Sequence, residues 1–123
     1  SNFSIGINLI KNIIPELNRF MSENSDFEIK MKEKHHKYKI DSPSGTALDL
    51  KNLIKKNKIK IKSDRQEEKQ IGCHEIILQS KKEQITIKHQ ALHRNLFASG
   101  AIKYGEKIQN KTGYFDLDLK KIF

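Results

Sequence analysis

The chain has 123 residues, a formal net charge of +9, 36% apolar residues and a single cysteine. This length suits one domain with a core of its own, and no apolar run approaches the about 20 residues of a membrane span. Cys73 has no partner for an internal disulfide, which points to a reducing compartment, the cytoplasm or a plastid.

The charge admits two readings. A nucleic-acid or anionic-membrane surface would use a basic face, but only Arg19, Arg65 and Arg94 are arginines, the residue that phosphate and guanine recognition favours. The lysines are scattered along the sequence, so the charge reads as a solvated coat, with no nucleic-acid or membrane partner. A positive field still draws in a small dianion. The chain opens at Ser1 with no charged n-region of a signal peptide, and Phe3 and Ile5 lead straight into an apolar helix. It is read as a piece of a longer polypeptide.

Ser4 is a reasonable N-cap, and Ile5, Leu9, Ile13, Leu17 and Phe20 recur at helical spacing after it. Pro15 removes a helical hydrogen bond at a cost of about 3 kcal/mol, which predicts a kink or a helix in two pieces. Residues 22–26 are turn-like. Phe27, Ile29 and Met31 then alternate with Glu28, Lys30 and Lys32, the period of a half-buried strand. If the strand runs on to His35 and His36, these two face opposite sides. Residues 37–43 form a loop, since Pro43 drives the residue before it out of helical geometry. Ser42 or Ser44 caps a second helix with Ala47, Leu50, Leu53 and Ile54 as its stripe and Asn57 as its terminator. Ile59 and Ile61 predict a short strand, and residues 64–70 a charged, mobile loop. Two strands follow, over residues 73–79 and 83–89, joined around Ser80-Lys81-Lys82. A helix over 94–108 carries Phe97, Ala101, Tyr104 and Ile108 on one face. Gly113-Tyr114-Phe115 ends the regular region, with a short helix over 117–122. The order α, β, α, β, β, β, α is that of an α+β domain with helices covering one mixed sheet.

The chemistry gathers in residues 34–47, Lys-His-His-Lys-Tyr-Lys-Ile-Asp-Ser-Pro-Ser-Gly-Thr-Ala. Histidine exchanges a proton near neutral pH. Lysine brings a fixed cation, and a Gly-Thr step opening a helix offers unpaired N–H groups to an anion. Each part has an ordinary structural reading alone; the spacing favours the functional one. A zinc site is weaker. His89 and His93 are four apart, but His89 ends a strand, and there is no H-E-x-x-H and no cysteine pair, so no metal is expected. His74 and His89 read as sheet residues bonding locally, and Arg94 as a helix-start or interface residue. The Ser-Gly-Thr turn lacks the spacing of a phosphate-binding P-loop.

The pattern His35-His36-x-x-Lys39-x-Asp41-x-Pro43-Ser44-Gly45-Thr46-Ala47 resembles the signature of the 4-hydroxy-tetrahydrodipicolinate reductase (dihydrodipicolinate reductase) family. Support comes from Arg65 with Gly72, His74 and Glu75, from the run His89-x-Ala91-x-x-Arg94-x-x-Phe97-Ala98-x-Gly100-Ala101, and from Gly113-Tyr114-Phe115-Asp116. The resemblance runs the length of the chain and implies its C-terminal substrate-binding and tetramerisation domain, residues 1–123, with 1–6 similar to the interdomain hinge. It implies a four-stranded mixed sheet and a homotetramer formed through it. It also implies an oxidoreductase of the diaminopimelate route of lysine biosynthesis that uses NADPH or NADH. No G-x-G-x-x-G follows a strand here, so the cofactor would be bound mainly by a domain this chain does not contain, and the chain alone would be inactive. By the same resemblance His35 is the acid/base residue and Lys39 a catalytic cation. His36, Ser44, Gly45 and Thr46 contact a dicarboxylate substrate, Asp41 orients the loop or Lys39, and Phe3 borders the nicotinamide. The alternative is a stand-alone assembly or anionic-ligand or nucleic-acid-binding module without catalysis, and the sequence upstream of Ser1 separates the two.

Overall fold

The computed structural model describes residues 3–117. Ser4 opens the first helix, α1 (Ile5–Glu23), where its hydroxyl accepts the Ile7 N–H at 3.2 Å. The helix is continuous through Pro15, and the expected break into two pieces does not occur. Pro15 is exposed, while Ile7, Ile10, Ile14 and Met21 are buried on the far side along both halves. Burying one such side chain stabilises by roughly 1.5–3 kcal/mol, so four of them outweigh the loss of about 3 kcal/mol at the proline. The buried stripe is also not the one expected from Ile5, Leu9 and Ile13, since Leu9 is 53% exposed. Apolar residues occupy two neighbouring stripes of this helix, and only the packing of the sheet selects between them.

Strand β1 (Glu28–Lys34) follows the predicted alternation and extends it, with Ile29, Met31 and Glu33 turned inward. It stops at Lys34, so His35 and His36 lie just past its end rather than on opposite faces of it. Helix α2 (Gly45–Leu53) ends four residues before Asn57. The terminator comes instead from α1: Asn18 donates to the Leu53 carbonyl and accepts the Lys55 N–H, both at 2.9 Å. Strands β2 (Ile61–Asp64), β3 (Cys73–Gln79) and β4 (Gln84–Gln90) complete the sheet, and α3 (Asn95–Ile108) follows. The expected helix over 117–122 lies, after its first residue, outside the described residues.

The sheet order is β2-β1-β3-β4, with β1 and β2 parallel and the other pairs antiparallel. This is the mixed four-stranded α+β architecture that the element order predicts. On one face, Ile29, Met31, Ile76 and Leu78 meet Ile10, Ile14 and Met21 of α1 and Leu50 of α2 in a single core. Among the described residues no helix covers the other face. There Lys30, Lys32, Lys34, Lys62 and Lys88 alternate outward around Cys73, Glu75 and Ile77. Strand periodicity thus places five of the scattered lysines together on one surface. Helix α3 instead packs on the start of the chain: Tyr104 is buried, its ring 6.3 Å from that of Phe3, and a Cβ at Gly100 would lie 1.9 Å from the Phe3 carbonyl oxygen. Among the described residues no helix is long and apolar enough to cross a membrane.

The reassigned helix face is testable. Ile14→Ala, at a fully buried position, should cost about 2–5 kcal/mol in urea unfolding, and Leu9→Ala under about 1 kcal/mol. Equal losses would restore the stripe expected from the sequence.

Candidate active site

Sheet topology brings three chain segments to one end of the sheet. The last pair of β1, the first of β3 and the last of β4 are in register, Lys34 with Cys73 and Cys73 with Gln90. The residues just beyond, His35, Gly72 and Ala91, therefore lie side by side, and the Ala91 N–H donates to the Gly72 carbonyl at 2.8 Å. The N-terminus of α2 and the start of α3 close the space into a cleft of about 430 Å³. His35, His36, Lys39, Ser44, Gly45 and Thr46 all line it, together with His74, His89 and Arg94. Phe3 does not. It is 41% exposed and belongs to a separate groove beside Ala101, Tyr104 and Ile108.

Beneath the cleft lies Glu33, whose side chain has no solvent exposure. Arg65 grips both its oxygens, Nη2 to Oε1 at 2.6 Å and Nη1 to Oε2 at 3.0 Å. His35 Nδ1 lies 2.5 Å from Oε2, and the Ser44 N–H donates to Oε1 at 3.2 Å. Burial alone would push this carboxyl up. Arg65, His35 and the Ser44 N–H together outweigh burial and hold it down at about 2. An ionised carboxylate only accepts, so His35 Nδ1 carries the hydrogen and its Nε2 keeps the lone pair. Burial lowers the His35 pKa, with Glu33 opposing it and Arg65 and Lys39 adding to the lowering.

Glu33, His35 and His74 offer three ligand atoms within 4.8 Å of one another, a grouping that can hold a metal ion. The guanidinium on both Glu33 oxygens makes this a hydrogen-bonded ion pair, and a divalent cation there would have to displace Arg65.

The remaining residues are positioned by the loop and by α2. Lys39 Nζ pairs with Asp41 Oδ1 at 2.8 Å, and this lysine lowers the Asp41 pKa. Ser44 is buried: its hydroxyl accepts the Ala47 N–H at 3.2 Å, capping α2, and lies 3.1 Å from His74 Nε2. A Cβ at Gly45 would meet nothing within 4 Å, whereas one at Gly72 would come within 3.0 Å of His35 Nε2. Gly72 thus leaves room for the imidazole edge. The charged 64–70 segment, expected to be mobile, is tied to the loop. The Lys37 N–H donates to the Glu67 carbonyl at 2.8 Å, Lys37 pairs with Glu68 at 3.0 Å, and Arg65 Nη2 reaches the Asp41 carbonyl at 2.9 Å.

Sequence reasoning missed Glu33, although a signal was present: it falls on the odd-numbered phase of Phe27, Ile29 and Met31, the inward face. His74 and His89 are sheet residues, as read, and lie directly opposite each other, but their rings bond distant segments, at Ser44 and Ser4, rather than local ones, and they also form cleft wall. His89 Nε2 lies 3.2 Å from the Ser4 hydroxyl, joining the cleft to the start of α1. Arg94 is at the helix start, as expected, and lines the cleft as well.

Fold and site define an α+β domain whose cleft brings together an imidazole, a lysine and a helix N-terminus. A family model described as "Dihydrodipicolinate reductase, C-terminus" matches residues 6–120. The 4-hydroxy-tetrahydrodipicolinate reductase of Buchnera aphidicola subsp. Cinara cedri is 38% identical over 98% of this chain and 53% of its own length. That of Clostridium novyi is 40% identical over 96% of this chain and 54% of its own. The chain belongs to the dihydrodipicolinate reductase family, as its C-terminal domain, and spans about half the length of the curated relatives it matches. The fold is that of the dipicolinate-bound dihydrodipicolinate reductase from Paenisporosarcina sp. TG-14, with a TM-score of 0.65 at 24% identity, covering 83% of this chain and 45% of that one.

The buried groups set an acid limit. His74 is held down at about 4, first by burial and then by the charge of His35. Between the ordinary histidine value and about 4, the unfolded chain binds a proton that the folded one refuses, so stability falls as pH drops through that window. Glu33 adds a second loss on going from the ordinary carboxylate range down to about 2, because its ion pair is stabilising only while it is ionised. Thermal unfolding should show a midpoint that decreases steadily from pH 7 to pH 4, with a shallower slope in His74→Gln. An unchanged slope in that variant would remove His74 as the source.

Proposed function

We propose that this chain is the substrate-binding and oligomerisation domain of a reductase that converts 4-hydroxy-tetrahydrodipicolinate to tetrahydrodipicolinate with NADPH or NADH, in the diaminopimelate route of lysine biosynthesis. The observation that carries this reading is the meeting of His35, Lys39 and the N-terminus of α2 around one cleft. The dipicolinate in the solved relative supports a dicarboxylate ring as the occupant.

The chain's own residues divide the work. The α2 N-terminus, at Gly45 and Thr46, meets one carboxylate with peptide dipoles and N–H groups. Lys39 brings positive charge to the ring and carboxylate, with Asp41 orienting it. His36 contacts the substrate. Ser44, read from the sequence as a substrate contact, instead keeps the helix start in place, because its N–H and hydroxyl are engaged by Glu33, Ala47 and His74. His35 exchanges the proton. The hydride is the nicotinamide's contribution, and this reading assigns the cofactor mainly to a domain other than this one. Residues 1–6 are read as the approach from a cofactor domain. The reading includes a cytoplasmic setting and a homotetramer assembled on the uncovered sheet face. With five lysines on that face, assembly should strengthen as salt screens their repulsion.

In the full-length protein, His35→Ala and Lys39→Ala should each lower kcat about 10²–10⁴-fold without loss of fold. Near-normal rates in both would remove them from the chemistry. Calorimetry with pyridine-2,6-dicarboxylate should show binding that weakens with salt. Gly45→Ala should weaken it about tenfold or more while leaving stability unchanged, since the added methyl group enters open space in the free protein. The same affinity in Gly45→Ala would place the ligand elsewhere.

A further inference from the structure

The buried carboxylate under His35 does not line the cleft, yet it costs the fold a desolvated charge. We propose that Glu33, clamped by Arg65, is the positioning residue of the site: it holds the His35 Nδ1–H and thereby presents His35 Nε2 as the atom that exchanges the proton. The proposal rests on the role read for His35 above.

Three observations carry it. The Glu33 carboxylate has no solvent exposure and sits two residues before His35, on the last inward position of β1. Its Oε2 meets His35 Nδ1 at 2.5 Å, while both oxygens are fixed by the Arg65 fork at 2.6 and 3.0 Å. A bidentate guanidinium sets the plane of the carboxylate as well as its charge. Finally, the opposite edge of the imidazole lies over Gly72, where a Cβ would come within 3.0 Å of Nε2. The ring is therefore held at one nitrogen and given space at the other. A base oriented by a third group is the recurring form of such sites.

The consequence for proton transfer follows from charge. When Nε2 is protonated, the imidazolium lies against a carboxylate that already accepts its Nδ1–H. As the electron-rich double bond left in the ring after reduction takes the proton, its π pair forms the new C–H bond, the Nε2–H bond breaks with its pair left on nitrogen, and His35 returns to the neutral Nδ1–H form. Glu33 stays ionised throughout, since Arg65 and the Ser44 N–H remain on it. The charged and titratable groups facing the imidazole are Glu33 on β1, Arg65 after β2, Lys39 in the loop and His74 on β3. Of these, Glu33 alone stabilises the imidazolium.

Glu33→Gln in the full-length protein separates positioning from bulk. A neutral amide turns one oxygen into a donor, so Arg65 loses one of its two acceptors and either His35 or the Ser44 N–H loses its own. We expect kcat to fall about 10²-fold with KM within about threefold. The alkaline limb of the kcat profile, where the His35 Nε2 proton is lost, should move to lower pH, and ring-nitrogen NMR should show the His35 Nε2–H tautomer gaining population. Because Arg65 would be left buried without its counter-charge, Glu33→Gln/Arg65→Met serves as the folded, charge-neutral second variant, with the same kinetic and tautomer changes expected. A folded variant that keeps the wild-type kcat, alkaline limb and tautomer overturns the proposal. If His35→Ala abolishes turnover while both Glu33 variants retain it, only the positioning role fails. If His35→Ala also retains turnover, the reading of the site fails with it.

Discussion

The cleft depends on one buried ion pair. An unpaired carboxylate at the solvent exposure of Glu33 would be strongly destabilising, and the structure offsets this with donors from three places: Arg65 after β2, His35 after β1 and the Ser44 N–H at the start of α2. Each donor belongs to a segment that also bears a cleft residue. Satisfying Glu33 therefore assembles the site. The strand end, the loop and the helix cap cannot separate without leaving a buried charge short of partners. Removing one side of such a pair is far more damaging than replacing both with apolar groups, so the pair reads as a device for geometry more than for net stability.

Sheet topology provides the framework. Pairing β1 antiparallel to β3, and β3 to β4, brings the end of one strand, the start of the next and the end of the last to a common edge. The cleft opens there, with the anion-attracting end of α2 facing it. The core beneath is made by α1 and α2 on one sheet face, which leaves the other face lysine-rich and uncovered among the described residues. The two faces thus separate two properties of the chain, a packed support for the cleft and a charged exterior. Helix α3 belongs to neither face. It holds the entry of the chain through Tyr104 and the close approach of Phe3 to Gly100.

The sequence was most legible where chemistry and local structure coincide. Ser44 caps a helix because its short hydroxyl reaches back to a free N–H, and the same turn is part of the family signature. The β1 alternation and the 80–83 hairpin were equally readable, since both are set by near neighbours in the chain. Errors arose where distant segments decide. Ile13 and Ile14 are both apolar and adjacent, and only the sheet determines which is fully buried. The end of α2 is set by Asn18, thirty-five residues before Leu53. The 64–70 segment looked mobile because its charges find their partners in residues 33–41, which local pattern does not register.

By itself the sequence determined the class of the domain, the order of its elements and the cluster running from His35 to Thr46, because these rest on periodicity, capping and spacing along the chain. Tertiary structure alone decided that Glu33 lies beneath His35, that Arg65 clamps it and that Gly72 makes room for the imidazole edge. It also decided that Phe3 stands in a different groove from the histidines. The physical reason is that a buried charge is tolerated only where several donors converge. That convergence is a property of three segments meeting in space, and no one of them carries it alone.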